Sequence, residues 1–398
     1  MQVIIHRGTH QIGGCVTEIK SEKGTRIAID IGENLPTISE NEKTEMEVEG
    51  LTKGKANFDA VFVTHYHGDH IGLYNRILPQ IPIYVSEVSK EVYKILQERL
   101  EKAGITTKND LTLINDFKTY KIPEKIKIKD ILITPIEVDH SAFSAHMFLL
   151  ECDGKKLLHT GDFRTHGQRG KSVIPALKKY VGKVDCLICE GTTLSRKKEQ
   201  PMTEFELQKK AEQIFKENKY NFVMCSSTNI DRIAAIHQAT SNVRKLFICD
   251  NFQKEILDYI STISRSNLYK FYNNVYSYGQ NLLTQMQEKG FVMLVRDNKL
   301  SRIIMNKFPN SKFIYSQWEG YLNEKFTEYK HLQEFVPKNY ICLHTSGHAD
   351  FNAIKQVCET VKAKVILPIH GENPEAFKEM DLKDCVIKIV NDNEEIKI

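Results

Sequence analysis

The segment VTHYHGDHIG, residues 63–72, sets three histidines and an aspartate within six positions, directly behind the apolar run DAVFV. Imidazole and carboxylate suit zinc or manganese. A chain leaving a buried strand here would hold His65, His67, Asp69 and His70 in one tight turn, with Gly68 free to take backbone angles closed to other residues. Four such groups exceed what one tetrahedral ion with an open catalytic position uses, so the segment implies two metals. Further ligands should then stand at other strand ends. His140 in VDHSAFSAH, Asp162 in LLHTGDFR and His370 in ILPIHGE each follow an apolar run. One such histidine would pass for an ordinary core or surface residue, but several in register with HxHxDH point to a shared site. Asp30, closing RIAID, stands where a carboxylate orients a ligand imidazole, and equally where an aspartate caps a strand.

The elements that must position these residues are short apolar runs. QVIIH, CVTEIK, RIAIDIG, DAVFVTH, ILITPIEVDH, HMFLLEC, KKLLHTGD and DCLICEG read as strands, often close enough for antiparallel pairing, with an early helix over residues 86–102. Residues 36–57 are polar and charged and read as a solvated loop. After residue 195 the rhythm becomes a strict alternation of helix and strand, as in TEFELQKKAEQIFKEN, NFVMCSS, NIDRIAAIHQATS and KLFICD, which predicts a small parallel sheet. Strands return at NYICLHTSG and AKVILPIHGE. The economical organisation is a first domain over 1–194, an insertion over 195–340 and a return to the first domain over 341–398.

Composition narrows the class. The 398 residues, 41% of them hydrophobic, suffice for a large core, and a net charge of +4 is too small to bind nucleic acid by bulk electrostatics alone. The start, MQVIIHRGTH, is too short in apolar residues for a secretory core or a membrane span, and nine scattered cysteines suit a reducing compartment. A cytoplasmic protein with no membrane partner is expected. Cys186 and Cys189 form the one C-x-x-C, but on a strand residues three apart face opposite ways, so core packing is the reading.

HYHGDH, the His140 turn, TGDF and the Asp30 strand end resemble the metallo-β-lactamase superfamily of two-metal hydrolases. CEGTT, which carries Glu190, HTSGHAD, which carries His348, and PIHGE, which carries His370, narrow the resemblance to the β-CASP branch and within it to the ribonuclease J family. SSTNIDR is similar to that family's 5′-phosphate segment. The implied fold is α/β, a metallo-β-lactamase αββα sandwich interrupted by a β-CASP insertion domain with a small, mostly parallel sheet. The implied cofactor is two divalent ions, zinc before manganese: His65, His67 and His140 would hold one, Asp69, His70 and His370 the other, with Asp162 bridging. The implied catalytic residues are Asp69, Asp162, Glu190 and His348, with His348 stabilising charge on the non-bridging oxygens and aiding the leaving oxygen, and Glu190 orienting it. The implied phosphate and RNA contacts are Ser227, Thr228, His344, Ser346 and His348. Arg164, Arg169 and Arg232 would line an entrance or sit solvated on the surface.

The resemblance implies a ribonuclease acting on single-stranded RNA, 5′-to-3′ from a monophosphorylated end, with endonuclease activity also open. Members of that family continue into a small carboxy-terminal pairing domain, while this sequence ends soon after HGE, which leaves a homodimer open. YSQWEGY replaces the family's Gly-Ser-Gln-Gly-Glu stretch, so contacts around Ser316 and Trp318 are expected to differ, with Trp318 packed within the insertion or stacked on a base. Three other readings stand beside this one: a small-molecule hydrolase of the same superfamily, a DNA nuclease, which His370 disfavours, and a non-catalytic RNA-binding subunit.

Overall fold

The computed structural model describes residues 1–35, 46–196, 200–272 and 274–398. They divide into two compact units. One takes the described residues of Met1–Leu35, Asn41–Gln200 and Gly347–Ile398, and the other takes those of Pro201–Ser346. The unit boundaries fall six residues later at each end than the expected 194/195 and 340/341.

The first unit is built on two seven-stranded sheets. One runs in the order Glu395–Lys397, Gln2–Arg7, Val16–Lys20, Arg26–Ile29, Ala60–Phe62, Ile83–Ser86, Lys118–Tyr120. Its pairings are antiparallel up to Arg26–Ile29 and parallel beyond it. The other runs Val386–Ile387, Val365–Ile369, Cys186–Glu190, Lys155–His159, Ala145–Cys152, Ile131–Val138, Ile126–Ile128. Here the first four strands are mutually parallel and the rest antiparallel.

Side-chain alternation explains the layering. Val3, Ile5, Ile27, Ile29 and Phe62 of the first sheet share a core with Ile133, Phe148, Leu150, Cys186 and Ile188 of the second. Leu187 and Cys189 turn to the opposite face, into a separate core with Val173 and Leu177 of the helix Val173–Tyr180 and with Ile354, Val357, Cys358 and Val361 of the helix Phe351–Val361. Strand Cys186–Glu190 is thus buried on both faces, and its two cysteines pack in different cores, as free thiols. The helix expected at 86–102 runs Glu87–Lys102, with the Ser86 hydroxyl accepting the Ser89 N–H as its cap. Sheet packed on sheet with helices outside is the expected αββα sandwich.

The expected loop over 36–57 lies partly outside the described residues. Its described part, 46–57, is irregular backbone, but Val48 and Leu51 are buried rather than solvated.

The second unit holds a six-stranded sheet in the order Val275–Ser277, Leu246–Cys249, Phe291–Leu294, Tyr220–Met224, Lys312–Tyr315, Ile341–Cys342, with every pairing parallel. Parallel strands need crossover helices, which Ile230–Asn242, Asn251–Ile263, Leu283–Lys289, Lys299–Lys307 and Lys330–Phe335 supply. Strand Ile341–Cys342 belongs to this sheet, so NYICLHTSG closes the insertion instead of reopening the first domain. Hydrophobic alternation fixed it as a strand without saying which sheet it joins.

Arg232 corrects a sequence expectation. Neither at an entrance nor solvated, it is fully buried within the second unit. Its Nε donates to Glu204 Oε2 at 2.9 Å, Nη2 to Glu204 Oε1 at 2.9 Å and to the Thr345 carbonyl at 3.0 Å, and Nη1 to Ser316 Oγ at 2.8 Å. Ser316 is likewise buried and serves this network. Truncating one partner would strand a buried charge. Arg232→Ala is expected to lower the unfolding free energy of this unit by about 3–5 kcal/mol. Urea denaturation checks this, and the double substitution Arg232→Met with Glu204→Leu should recover most of the loss.

Candidate metal centre

The expected ligands collect where strands end. Asp30 follows Arg26–Ile29, His65 follows Ala60–Phe62, His140 follows Ile131–Val138, Asp162 follows Lys155–His159, Glu190 closes Cys186–Glu190 and His370 follows Val365–Ile369. Within each sheet these strands run the same way, so their carboxyl ends share an edge. The chain turns sharply there: φ is +63° at Asp30 and +53° at His370, values an ordinary residue adopts only when its surroundings enforce them. Gly68 corrects an expectation. It opens the short helix Gly68–Ile71 and is not among the positive-φ glycines, so no unusual angle is needed there. Gly32 carries the constraint instead, because a Cβ on it would lie 1.7 Å from the Asp69 carbonyl oxygen.

Asp162 is the centre of the cluster. Its Oδ2 lies 3.1 Å from His70 Nε2, 3.5 Å from His348 Nδ1, and 3.8 Å from the Nε2 atoms of His65, His140 and His370. Its Oδ1 is buried without a hydrogen-bond partner. His67 Nδ1 lies 3.1 Å from His65 Nε2 and 3.2 Å from His140 Nε2, and His370 Nε2 lies 3.2 Å from Asp69 Oδ2. Four groups of donors therefore converge closely enough to hold an ion: His65 with His67 and His140; His65 with His70 and Asp162; Asp69 with His70 and His370; and Asp162 with Glu190, His348 and His370.

The outer nitrogens explain how the rings are aimed. His140 Nδ1 lies 2.6 Å from the Gly347 carbonyl, which only accepts, so that nitrogen carries the proton and Nε2 turns inward with its lone pair. His70 Nδ1 lies 2.8 Å from Asp30 Oδ2, and Asp30 Oδ1 accepts the Thr64 N–H at 2.7 Å. Asp30 thus stands where a carboxylate would orient a ligand ring, the arrangement common behind metal-bound histidine.

The electrostatics suit a cation. Burial drives the His65 and His140 imidazoles well below their usual range and His67 down to about 4, which leaves neutral rings with free lone pairs. Burial would raise the Asp162 carboxyl, but His370, His70 and His348 outweigh it and hold it well below the carboxylate range. Burial opposes charge on His70 and His370 as well, yet Asp162 and its neighbouring carboxylates raise both. Crowded imidazole nitrogens, an ionised carboxylate and an orphaned buried oxygen together fit a divalent metal.

A family model described as "Beta-lactamase superfamily domain" matches residues 25–239, more than half of the chain. The chain belongs to the beta-lactamase superfamily. A second model, "Zn-dependent metallo-hydrolase RNA specificity domain", matches residues 338–380, the stretch that holds His348 and His370, and places this superfamily member in the β-CASP branch. Among curated relatives, Ribonuclease J of Helicobacter pylori is 24% identical over 400 residues, covering 92% of this chain and 55% of that protein. An RNase J-like protein of Methanocaldococcus jannaschii is 29% identical over 205 residues, covering 47% of this chain and 41% of that one. The chain spans about half the length of the curated relatives it matches. A crystal structure of a protein of unknown function from Enterococcus faecalis superposes with a TM-score of 0.79 at 19% identity, covering 99% of both chains, which speaks for the fold. Among the described residues no helix is long and apolar enough to cross a membrane.

In this superfamily member, Glu190 and His348 stand beside the cluster, with His348 Nδ1 3.0 Å from Glu190 Oε2. The other expected contacts divide. Ser227, Thr228, His344 and Ser346 belong to the second unit, where Ser226–Asn229 form the turn between strand Tyr220–Met224 and helix Ile230–Asn242. Arg296 Nη1 donates to Ser227 Oγ at 2.9 Å. Arg164 is fully buried and paired with Asp139 at 3.1 Å, so it is neither an entrance nor a surface residue. Arg169 is partly buried between Glu137 and the Phe143 ring. Trp318 is 37% exposed and packs edge-on against Tyr321, between the two roles expected of it.

Sequence reasoning missed Thr64 and Thr192. Thr64 Oγ1 donates to Asp30 Oδ2 at 2.9 Å and meets His65 Nδ1 at 3.0 Å, and Thr192 Oγ1 meets both Glu190 and His370. The available signal was a hydroxyl beside each motif, in VTHYH and CEGTT.

Two outcomes follow. Asp162→Asn removes the charge that five imidazoles share, and zinc affinity measured by chelator competition should fall by more than the roughly 10–100-fold typical of an outer partner. Burial also pushes His146 down to about 3 and His159 down to about 4. The unfolded chain, titrating near 6.5, then binds more protons than the folded one between these values, so their contribution is complete above pH 6.5 and is lost as pH falls toward 3. His146→Gln should flatten that slope in denaturant titrations across the window.

Proposed function

We propose that this protein is a metal-dependent ribonuclease that hydrolyses single-stranded RNA, 5′-to-3′ from monophosphorylated ends, with internal cleavage as a secondary activity. The observation that carries the reading is the pair Glu190–His348 set against a seven-residue donor cluster, within the stretch similar to an RNA specificity domain. The names of the similar proteins, Ribonuclease J and an RNase J-like protein, agree with it.

His65, His67 and His140 would hold one divalent ion and Asp69, His70 and His370 a second, with the Asp162 carboxylate beside both sets; the nitrogen-rich first set suits zinc, with manganese the alternative. Such ions supply Lewis-acid stabilisation of phosphoryl charge and acidify water. The chain's own residues do the rest. His348 is 22% exposed at its side chain, whereas His65 and His140 are sealed off, so it alone of these can reach a substrate oxygen. With Nδ1 held by Glu190, its Nε2 would give a proton to the leaving oxygen. In the second unit, Ser227 and Thr228 at the start of helix Ile230–Asn242, with His344 and Ser346, would receive a terminal phosphate.

End-labelled RNAs bearing 5′-monophosphate, triphosphate or hydroxyl ends, with zinc or manganese present, test the reading. Mononucleotides should accumulate fastest from the monophosphate substrate, and a deoxyribose version should be cut poorly. Absence of cleavage on all three RNAs would sink the proposal. His348→Ala should keep its zinc yet lose about 10²–10⁴-fold in kcat, the usual worth of a positioned proton donor.

A further inference from the structure

We propose that Thr192 is a positioning residue that fixes His370 and His348 together through one hydroxyl and one carboxylate. The inference rests on the reading above for the roles of these two histidines and adds a residue to it.

Thr192 Oγ1 carries one proton and has three partners: Glu190 Oε2 at 2.7 Å, His370 Nδ1 at 2.8 Å and the His370 carbonyl at 3.2 Å. The shortest contact is to a carboxylate, which only accepts, so the hydroxyl gives its proton to Glu190. Oγ1 can then meet His370 Nδ1 only as an acceptor. His370 therefore carries its proton on Nδ1 and turns Nε2 toward Asp69 and Asp162, at 3.2 and 3.8 Å. Glu190 is filled in the same way: Oε2 also receives His348 Nδ1 at 3.0 Å, while Oε1 accepts the Phe163 N–H at 2.7 Å.

The backbone leaves the hydroxyl little choice of place. Strand Cys186–Glu190 pairs in parallel with Val365–Ile369 in the register Glu190↔Ile369, and the Gly191 N–H donates to the Ile369 carbonyl at 2.9 Å. Thr192 thus arrives beside His370 by register. It is 1% exposed, so no solvent molecule can stand in for the missing hydroxyl.

The same device recurs on the other sheet, which argues against coincidence. Thr64 Oγ1 lies 2.9 Å from Asp30 Oδ2 and 3.0 Å from His65 Nδ1, again a hydroxyl between a carboxylate and an outer imidazole nitrogen. Only Thr192 extends the link to a partly exposed histidine. Its loss would loosen a ring aimed into the cluster and the ring held to receive substrate, through one atom.

The test compares Thr192→Val, which keeps the shape and removes the hydroxyl, with Thr192→Ser, which keeps the hydroxyl. Zinc affinity is measured by chelator competition, and the His370 tautomer by long-range proton–nitrogen correlation on imidazole-labelled protein. Thr192→Val should lose about 10–100-fold in zinc affinity and, at saturating zinc, lose kcat on RNA with little change in KM. Thr192→Ser should restore most of both. The inference is overturned if Thr192→Val holds zinc like the parent, if Thr192→Ser is as impaired as Thr192→Val, or if the parent's His370 lacks its proton on Nδ1. The serine variant measured against the parent, and the parent's His370 tautomer, decide even where the valine variant does not fold. A zinc defect in Thr192→Val alongside a parent that cleaves no RNA would support the positioning role while refuting the ribonuclease reading. RNA cleavage by a parent whose valine variant keeps full zinc affinity would do the reverse.

Discussion

The candidate metal centre is gathered around one buried carboxylate. Asp162 is 2% exposed, with five imidazole nitrogens within 3.8 Å of its Oδ2. An ionised carboxylate so enclosed costs several kcal/mol unless opposite charge answers it. His70 and His370 give that answer in part, since Asp162 and its neighbours raise both rings against the effect of burial. His65 and His140 cannot, because burial keeps them neutral. A divalent cation meets both conditions at once, taking the lone pairs of the neutral rings and balancing the carboxylates.

Such a cluster can persist only if the fold leaves it no route to relax. Most of its members follow the carboxyl ends of strands in two sheets, each strand locked by pairing on both sides, while Asp69 and His70 stand on the short helix Gly68–Ile71. The residues that complete the turns sit in the left-handed region, and His370 is held there by its N–H bonded to the Gly8 carbonyl at 2.8 Å. Outside the ring of donors stands a ring of acceptors: Asp30, the Gly347 carbonyl, Thr64 and Thr192. Each holds one Nδ1, so rotating the ring of His65, His70, His140 or His370 breaks a buried hydrogen bond.

Much of this was legible in the sequence, and what was not has a physical reason. The candidate donors stood out because chemistry restricts which side chains can serve and strands announce themselves by apolar runs, as HxHxDH does behind DAVFV. The opposite facing of Cys186 and Cys189 followed from the two-residue period, and the two cores bear it out. Arg164 and Arg232 misled because arginine is charged by default, and only tertiary contacts reveal a buried partner such as Asp139 or Glu204. Gly68 misled because a glycine near a site invites a conformational role, while the tight contact fell at Gly32. Thr64 and Thr192 were passed over for a different reason: a hydroxyl beside a motif is no ligand signature, and its worth here lies in which two groups it bridges.

The second unit meets the same topological rule with a different outcome. Parallel strands again bring polar residues to their carboxyl ends, the place where open α/β sheets bind ligands. There the turn Ser226–Asn229, Asp250 and Arg296 follow three of the strands. Yet its charges are answered within the unit: Arg296 pairs with Asp250, and Arg232 with Glu204. Among the described residues, every group able to hold a metal lies in the first unit. An edge whose carboxylates are already neutralised by guanidinium groups has little attraction for a cation, but its hydroxyls and helix start remain suited to a phosphate. On the function proposed above, this partition of charge would leave metal chemistry to one unit and anion recognition to the other.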